Sequence, residues 1–133
     1  MIRILLGAAL ALIASAAVAQ PYPSKPIRVV VPFAPGGPVD VVARLLAPKM
    51  NELLGQQLVI ENKAGAGGNL GVSQVARSSP DGYTVLMTSS SFAVNPTLTP
   101  DPGYNAEKDF TPIAVVASQP NFIVVNAAFP ART

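Results

Sequence analysis

Three stretches of this chain hold residue types that can do chemistry. Thr88-Ser89-Ser90-Ser91 offers hydroxyls, while Pro35-Gly36-Gly37-Pro38 and Gly65-Ala66-Gly67-Gly68 offer backbone N–H groups bared by glycine. Asp40 adds one carboxylate close to the first glycine pair. A serine nucleophile needs a base to take its proton. The chain has no His and no Cys, which excludes Ser-His-Asp and Cys-His catalysis and a typical zinc centre. No general base stands near Ser89 or Ser90 in the sequence. What remains is binding without reaction. A strand that ends in a Pro/Gly turn and feeds a helix leaves amides unpaired at the helix start. The helix dipole makes that point slightly positive, so it accepts a carboxylate or phosphate without a charged side chain. Pro32 to Asp40 reads as such a corner. Asp40 itself would repel an anion, so its expected role is structural, favouring the helix start from the first turn.

The second glycine stretch does not read as a nucleotide motif. A G-x-G-x-x-G pattern begun at Gly65 needs glycine at position 70, which is Leu70, and Gly71 comes one residue late. No acidic residue follows at the interval that holds a ribose, and no Gly-Lys-Ser/Thr is present. Phe33, Tyr83 and Phe92 could line a pocket, although core packing is the default for single aromatics.

These stretches need elements to position them. Ile27 to Val31 is an apolar run without clean alternation, which suits a strand covered on both faces of a parallel sheet. Val42, Leu45, Leu46, Met50 and Leu53 recur at helical spacing and predict the buried face of a helix that starts near Val39. Pro48 predicts a kink within it, and Gly55 its C-terminal stop. Leu58-Val59-Ile60 predicts a second strand, Leu70 to Arg77 a short helix with Val72, Val75 and Ala76 facing in, and Tyr83 to Met87 a third strand. Pro80-Asp81-Gly82 is a turn. Asn95 to Ala106, with three prolines, predicts a long ordered loop. Ile113 to Ala117 and Phe122 to Val125 are further apolar runs of β type, separated by Ser118-Gln119-Pro120-Asn121. Strand–helix–strand–helix–strand predicts an open, mostly parallel α/β sheet. Ligands bind such sheets beyond the carboxyl ends of the strands, where all three chemical stretches fall.

The length of 133 residues allows one domain at most. Residues 1–19 read as a cleaved secretory signal peptide: Met1-Ile2-Arg3 is a positive start, Ile4 to Ala16 an apolar stretch too short to span a bilayer, and Ala17-Val18-Ala19 a cleavage site. No Cys follows, so a lipid anchor is not expected. Without Arg3, nine Lys and Arg become eight, against seven Asp and Glu. The remainder, residues 20–133, is nearly neutral, and its scattered charges give no footprint for nucleic acid.

The residues also carry a family resemblance. Tyr22-Pro23-Ser24-Lys25-Pro26-Ile27-Arg28, then Val31-Pro32-Phe33-Ala34-Pro35-Gly36-Gly37 with Asp40 and Ala43-Arg44, resembles the opening of the Bug-type receptors, the extracytoplasmic solute-binding proteins of tripartite tricarboxylate transporters. The likeness continues through Leu54-Gly55-Gln56, Val59-Ile60-Glu61-Asn62, Gly65-Ala66-Gly67-Gly68, Pro80-Asp81-Gly82-Tyr83, Asn95-Pro96 and Asp109-Phe110. It implies a Venus-flytrap receptor of the type II periplasmic-binding-protein fold, holding a carboxylate-bearing solute between two domains by backbone groups and ordered waters. Carried over, the ligand-binding residues are Phe33, Pro35, Gly36, Gly37 and Val39 from the first turn, Gly65, Ala66 and Gly67 from the second, and Thr88, Ser89 and Ser90 from the third strand end.

The family's chains are about twice this long or more, two domains of ordinary size. Residues 20–133 are therefore expected to be domain I, the N-terminal lobe, truncated before the second domain. Such a lobe alone is expected to bind weakly or not at all and to expose apolar surface. The resulting expectation is a periplasmic receptor lobe, a monomer without cofactor or metal. Its partners would be a di- or tricarboxylate, amino acid or aromatic acid, and the permease subunits. The alternatives are a nonfunctional truncated product, or an α/β enzyme using Ser89 or Ser90.

Overall fold

The computed structural model describes residues 21–120, 122–126 and 130. The expected signal peptide and Asn121 lie outside the described residues. Three strands, β1 (Ile27–Val31), β2 (Leu58–Asn62) and β3 (Thr84–Leu86), form one parallel sheet in the order β2-β1-β3. Helix α1 (Pro38–Leu54) connects β1 to β2. A 3-10 turn (Ala66–Gly68) and helix α2 (Asn69–Ala76) connect β2 to β3, and α3 (Ser91–Leu98) follows β3.

β1 is central because its sequence tolerates burial on both sides. Val30 and Val31 point to opposite faces, as successive strand residues must, and both are fully buried. The register sets Val30 between Glu61 of β2 and Leu86 of β3. Ladder bonds run on beyond both ends of β3, from Arg28 N–H to the Tyr83 carbonyl (2.9 Å) and from Met87 N–H to the Val30 carbonyl (3.0 Å). The core consists of Ile27, Val29, Val30, Val31, Ala43, Ala47, Val72 and Val75.

α1 turns a different face inward from the one its large apolar residues predict. It buries Ala43, Ala47 and Asp40, while Leu45 and Leu53 are 74% and 69% exposed. Small side chains let the helix axis approach the sheet closely, and a sheet of three strands covers only a narrow stripe of the helix. Pro48 lies inside α1, which runs unbroken to Leu54, and Gly55 ends it in the left-handed conformation with its amide on the Asn51 carbonyl (3.0 Å). α2 buries Val72 and Val75 as expected, while Ala76 is only half-buried.

The expected loop from Asn95 begins inside α3 instead. Pro96 has no N–H for the Phe92 carbonyl four residues back, and Tyr104 Oη donates to that carbonyl at 3.0 Å. Phe92, Tyr104 and Phe110 then stack, parallel at 5.6 Å and edge-on at 5.1 and 6.1 Å. This cluster orders the segment between them, so Phe92 packs there rather than lining a ligand pocket. The apolar runs at 113–117 and 122–125 form no strand, and their residues are exposed. At the other end of the chain, Tyr22 packs on Tyr83 at 5.1 Å, the Ser24 amide donates to Tyr83 Oη (2.8 Å), and Lys25 Nζ stands 4.2 Å from the Tyr83 ring centre.

Candidate functional site

All three expected stretches leave the carboxyl ends of the parallel strands. After β1 the chain turns at Gly36, whose φ of 80° needs glycine. Gly36 N–H is already used, donating to Asp40 Oδ2 at 2.8 Å, and Gly37 N–H reaches back to the Ala34 carbonyl at 3.3 Å. Gly37 is the N-cap of α1, no side chain caps it, and Pro38 has no N–H to offer. The amides left at the helix start are therefore those of Val39 and Asp40.

Asp40 is 2% exposed, and three donors bond its carboxylate. Oδ2 accepts from Gly36 N–H and from Arg44 Nε (3.0 Å), and Oδ1 accepts from Asn62 Nδ2 (2.9 Å). The Arg44 bond first, then the Gly36 and Asn62 donors, hold its carboxyl well below the usual carboxylate range. Because the folded value is the lower one, the stability Asp40 contributes is present at neutral pH and is lost as acid titrates it. Asp81 is shifted the same way, chiefly by the Tyr83 amide. The urea midpoint is expected to fall steadily below about pH 4. Asp40→Asn should flatten that decline without abolishing it, and an unchanged decline would mean the network does not form.

The second turn runs through Gly65, Ala66, Gly67 and Gly68, all at positive φ. Ala66, at 49°, is the single non-glycine residue with positive φ among the described residues. The turn closes with the Gly68 and Leu70 amides on the Gly65 carbonyl (2.9 and 3.4 Å), which leaves the amides of Ala66 and Gly67 outside those bonds. Successive amides in such a conformation form a concave anion cradle. A side chain on Gly68 would meet the Phe33 ring and the Pro32 carbonyl at 3.5 Å, so the first two turns lie directly against each other.

A cleft of about 670 Å³ opens beside the first turn and the third strand end. Phe33, Val39, Thr88, Ser89 and Ser90 line it, together with Pro38, Val42, Met87 and the segment Val116 to Gln119. Pro35, Gly36, Gly37, Gly65, Ala66 and Gly67 stand outside that lining. Thr88 Oγ1 is buried and has no hydrogen-bond partner among the described residues. Ser89 Oγ pairs with Ser91 Oγ at 3.1 Å, and none of the lining residues is a base. Sequence reasoning passed over Ser118 and Gln119 as lining residues. The available signal was their position: they close the apolar run 113–117 much as Thr88 and Ser89 close the third strand.

Residues 42–133 match the family model of the tripartite tricarboxylate transporter family receptor. A protein encoded in the tcbD-tcbE intergenic region of Pseudomonas sp. strain P51 is 43% identical over 128 residues, covering 94% of this chain and 38% of the relative. The chain thus spans well under half the length of that relative. Among solved structures, the periplasmic binding protein BugD superposes with a TM-score of 0.67 at 51% identity, over 69% of this chain and 31% of BugD. MatC from Rhodopseudomonas palustris, with bound malate, gives 0.63 at 43% identity, over 71% and 33%. The parallel α/β architecture is that of these periplasmic binding proteins. With sequence, fold and the strand-end turns all in agreement, this chain belongs to the tripartite tricarboxylate transporter receptors, a family of solute-binding proteins that includes the Bug type.

Proposed function

We propose that this chain forms one wall of a periplasmic receptor site for a small carboxylate solute, destined for a tripartite-type permease, and performs no reaction on it. The observation that carries this reading is the pairing, on one cleft, of an uncapped helix start at Val39 with the buried hydroxyl of Thr88, unpartnered among the described residues. Buried polar groups are normally satisfied, and a ligand oxygen would satisfy both donors at once. The malate bound to MatC supports a carboxylate as that ligand. Phe33, Val39, Thr88, Ser89 and Ser90 would touch it directly. The amides of Ala66 and Gly67 would contribute directly or through bridging water, and the turn at Pro35 to Gly37 through its shape, since the Gly36 and Gly37 amides are already bonded within it.

Malate titrated into the isotopically labelled chain is expected to move the amide resonances of residues 33–40, 65–68 and 88–90 and few others. A single lobe is expected to bind weakly, so the acid is carried to high concentration, and shifts scattered over the surface would remove the reading. Thr88→Val separates binding from folding. It deletes an unsatisfied buried hydroxyl at nearly constant shape, so stability should hold or rise slightly. Affinity for malate should fall by about ten-fold, the effect of losing one hydrogen bond to a charged group. Unaltered affinity would show that Thr88 does not face the acid.

A further inference from the structure

We infer that two polar ties, Asp40–Asn62–Arg44 and Asn69–Asn95, lock the three strand-end turns into one rim, so that these five side chains act as positioning residues for whatever the rim holds. None of the five lines the cleft. Asn62 and Asn95 reach the backbone of a neighbouring turn, Asp40 holds the Gly36 amide, and Arg44 and Asn69 hold those side chains in place.

The first tie spans the first and second turns. Asn62 is the last residue of β2, immediately before the second turn. Its Nδ2 donates to the Phe33 carbonyl in the first turn (3.1 Å) and to Asp40 Oδ1 (2.9 Å). Asp40 in turn fixes the Gly36 amide, and Arg44 closes the loop by bonding both Asp40 Oδ2 (3.0 Å) and Asn62 Oδ1 (3.1 Å). With Asp40 and Asn62 held on all sides, the Phe33–Gly36 backbone cannot shift without breaking charge-assisted bonds.

The second tie spans the second turn and the third strand end. Asn95 lies on α3, the helix that starts directly after Ser90. Its Nδ2 donates to the Gly67 carbonyl (2.9 Å) and to Oδ1 of Asn69 (2.7 Å), a residue only 7% exposed. The Phe92 and Ala93 amides bond the Ser89 and Ser90 carbonyls (3.0 and 3.1 Å), so a shift of α3 moves the hydroxyl segment with it. Networks of this kind fix geometry because each member is held by more than one partner. The ties act within the site proposed above, and their binding consequence rests on that reading. Their mechanical consequence does not.

Amide hydrogen exchange on the whole chain tests both separately. The variants are Asn62→Leu for the first tie, and Asn95→Asp and Asn95→Ala for the second. Each is expected to speed exchange in the turns on both sides of its tie by about ten-fold, the factor carried by a net hydrogen bond or two. Amides of β1, Val29 to Val31, should keep their protection. Acceleration confined to the substituted turn, or no acceleration, overturns the inference. So does equal acceleration in β1, because the ties would then serve general stability only. Malate is the binding probe. If the parent binds malate, the tie variants should bind it at least five-fold more weakly, in line with lost preorganisation, and unaltered affinity overturns the positioning role. If the parent lobe alone does not bind malate, the exchange pattern by itself decides whether the rim is one unit.

Discussion

Gly71→Ala is expected to melt about 5–10 °C below the parent chain, because overpacking of about 1–3 kcal/mol outweighs the gain in helix propensity. A Cβ at Gly71 would lie 2.7 Å from the Lys63 carbonyl oxygen, 2.9 Å from Pro32 Cβ and 3.0 Å from Pro32 Cα. Two of those atoms are backbone and the third belongs to a rigid ring, so no rotamer change relieves the clash. Helix α2 would have to move away from β1 and from the start of the second turn together. The same displacement pulls Asn69 off its partner Asn95, so the exchange rates of Gly67 and Gly68 should rise as well. Thermal unfolding followed by circular dichroism reads the first effect. A melting temperature equal to the parent's would show that α2 does not pack on Pro32 as described.

Val30→Asp is expected to abolish the cooperative unfolding transition altogether. Val30 is fully buried in the central strand, with ladder partners on both sides. A carboxylate there would stand beside the like charge of Glu61, its register partner in β2, among apolar core side chains, and burying it costs as much as the whole stability of a small domain. Val30→Ala is the graded control: about 2–3 kcal/mol of lost burial and cavity formation leaves a chain that folds with a lowered urea midpoint. Well-dispersed amide resonances from Val30→Asp would contradict the assignment of β1 as the covered centre of the sheet.

Much of this architecture is legible in the residues. Ile27 to Val31 lacks alternation because both its faces are covered, and the run itself says so. Gly55 announces the end of α1 because only a left-handed residue closes that helix there. The inward face of α1 was misread because size was taken as the guide to burial. The residues that approach the sheet are Ala43 and Ala47, and closeness of approach, not apolar bulk, decided the matter. Helix α3 was hidden by Pro96, since nothing near it in sequence indicates that a tyrosine hydroxyl will occupy the carbonyl it leaves open. The three candidate stretches stand out by residue type, and all three lie at carboxyl ends of strands. Which of their groups face the cleft was not readable, because it depends on hydrogen bonds made within the turns. Gly36 N–H, an apparent donor in the sequence, belongs to Asp40.

The bond from Tyr104 to the Phe92 carbonyl makes α3 depend on the chain that follows it. Helix α3 is not self-sufficient: one of its carbonyls is satisfied only after the intervening stretch has closed on itself and brought the phenol back. An excised 91–98 peptide would stay unstructured, as short helices do without help from elsewhere. Asn95 reaches Gly67 and Asn69 from that same helix. The glycine turn is therefore braced from a helix that itself leans on residues beyond it.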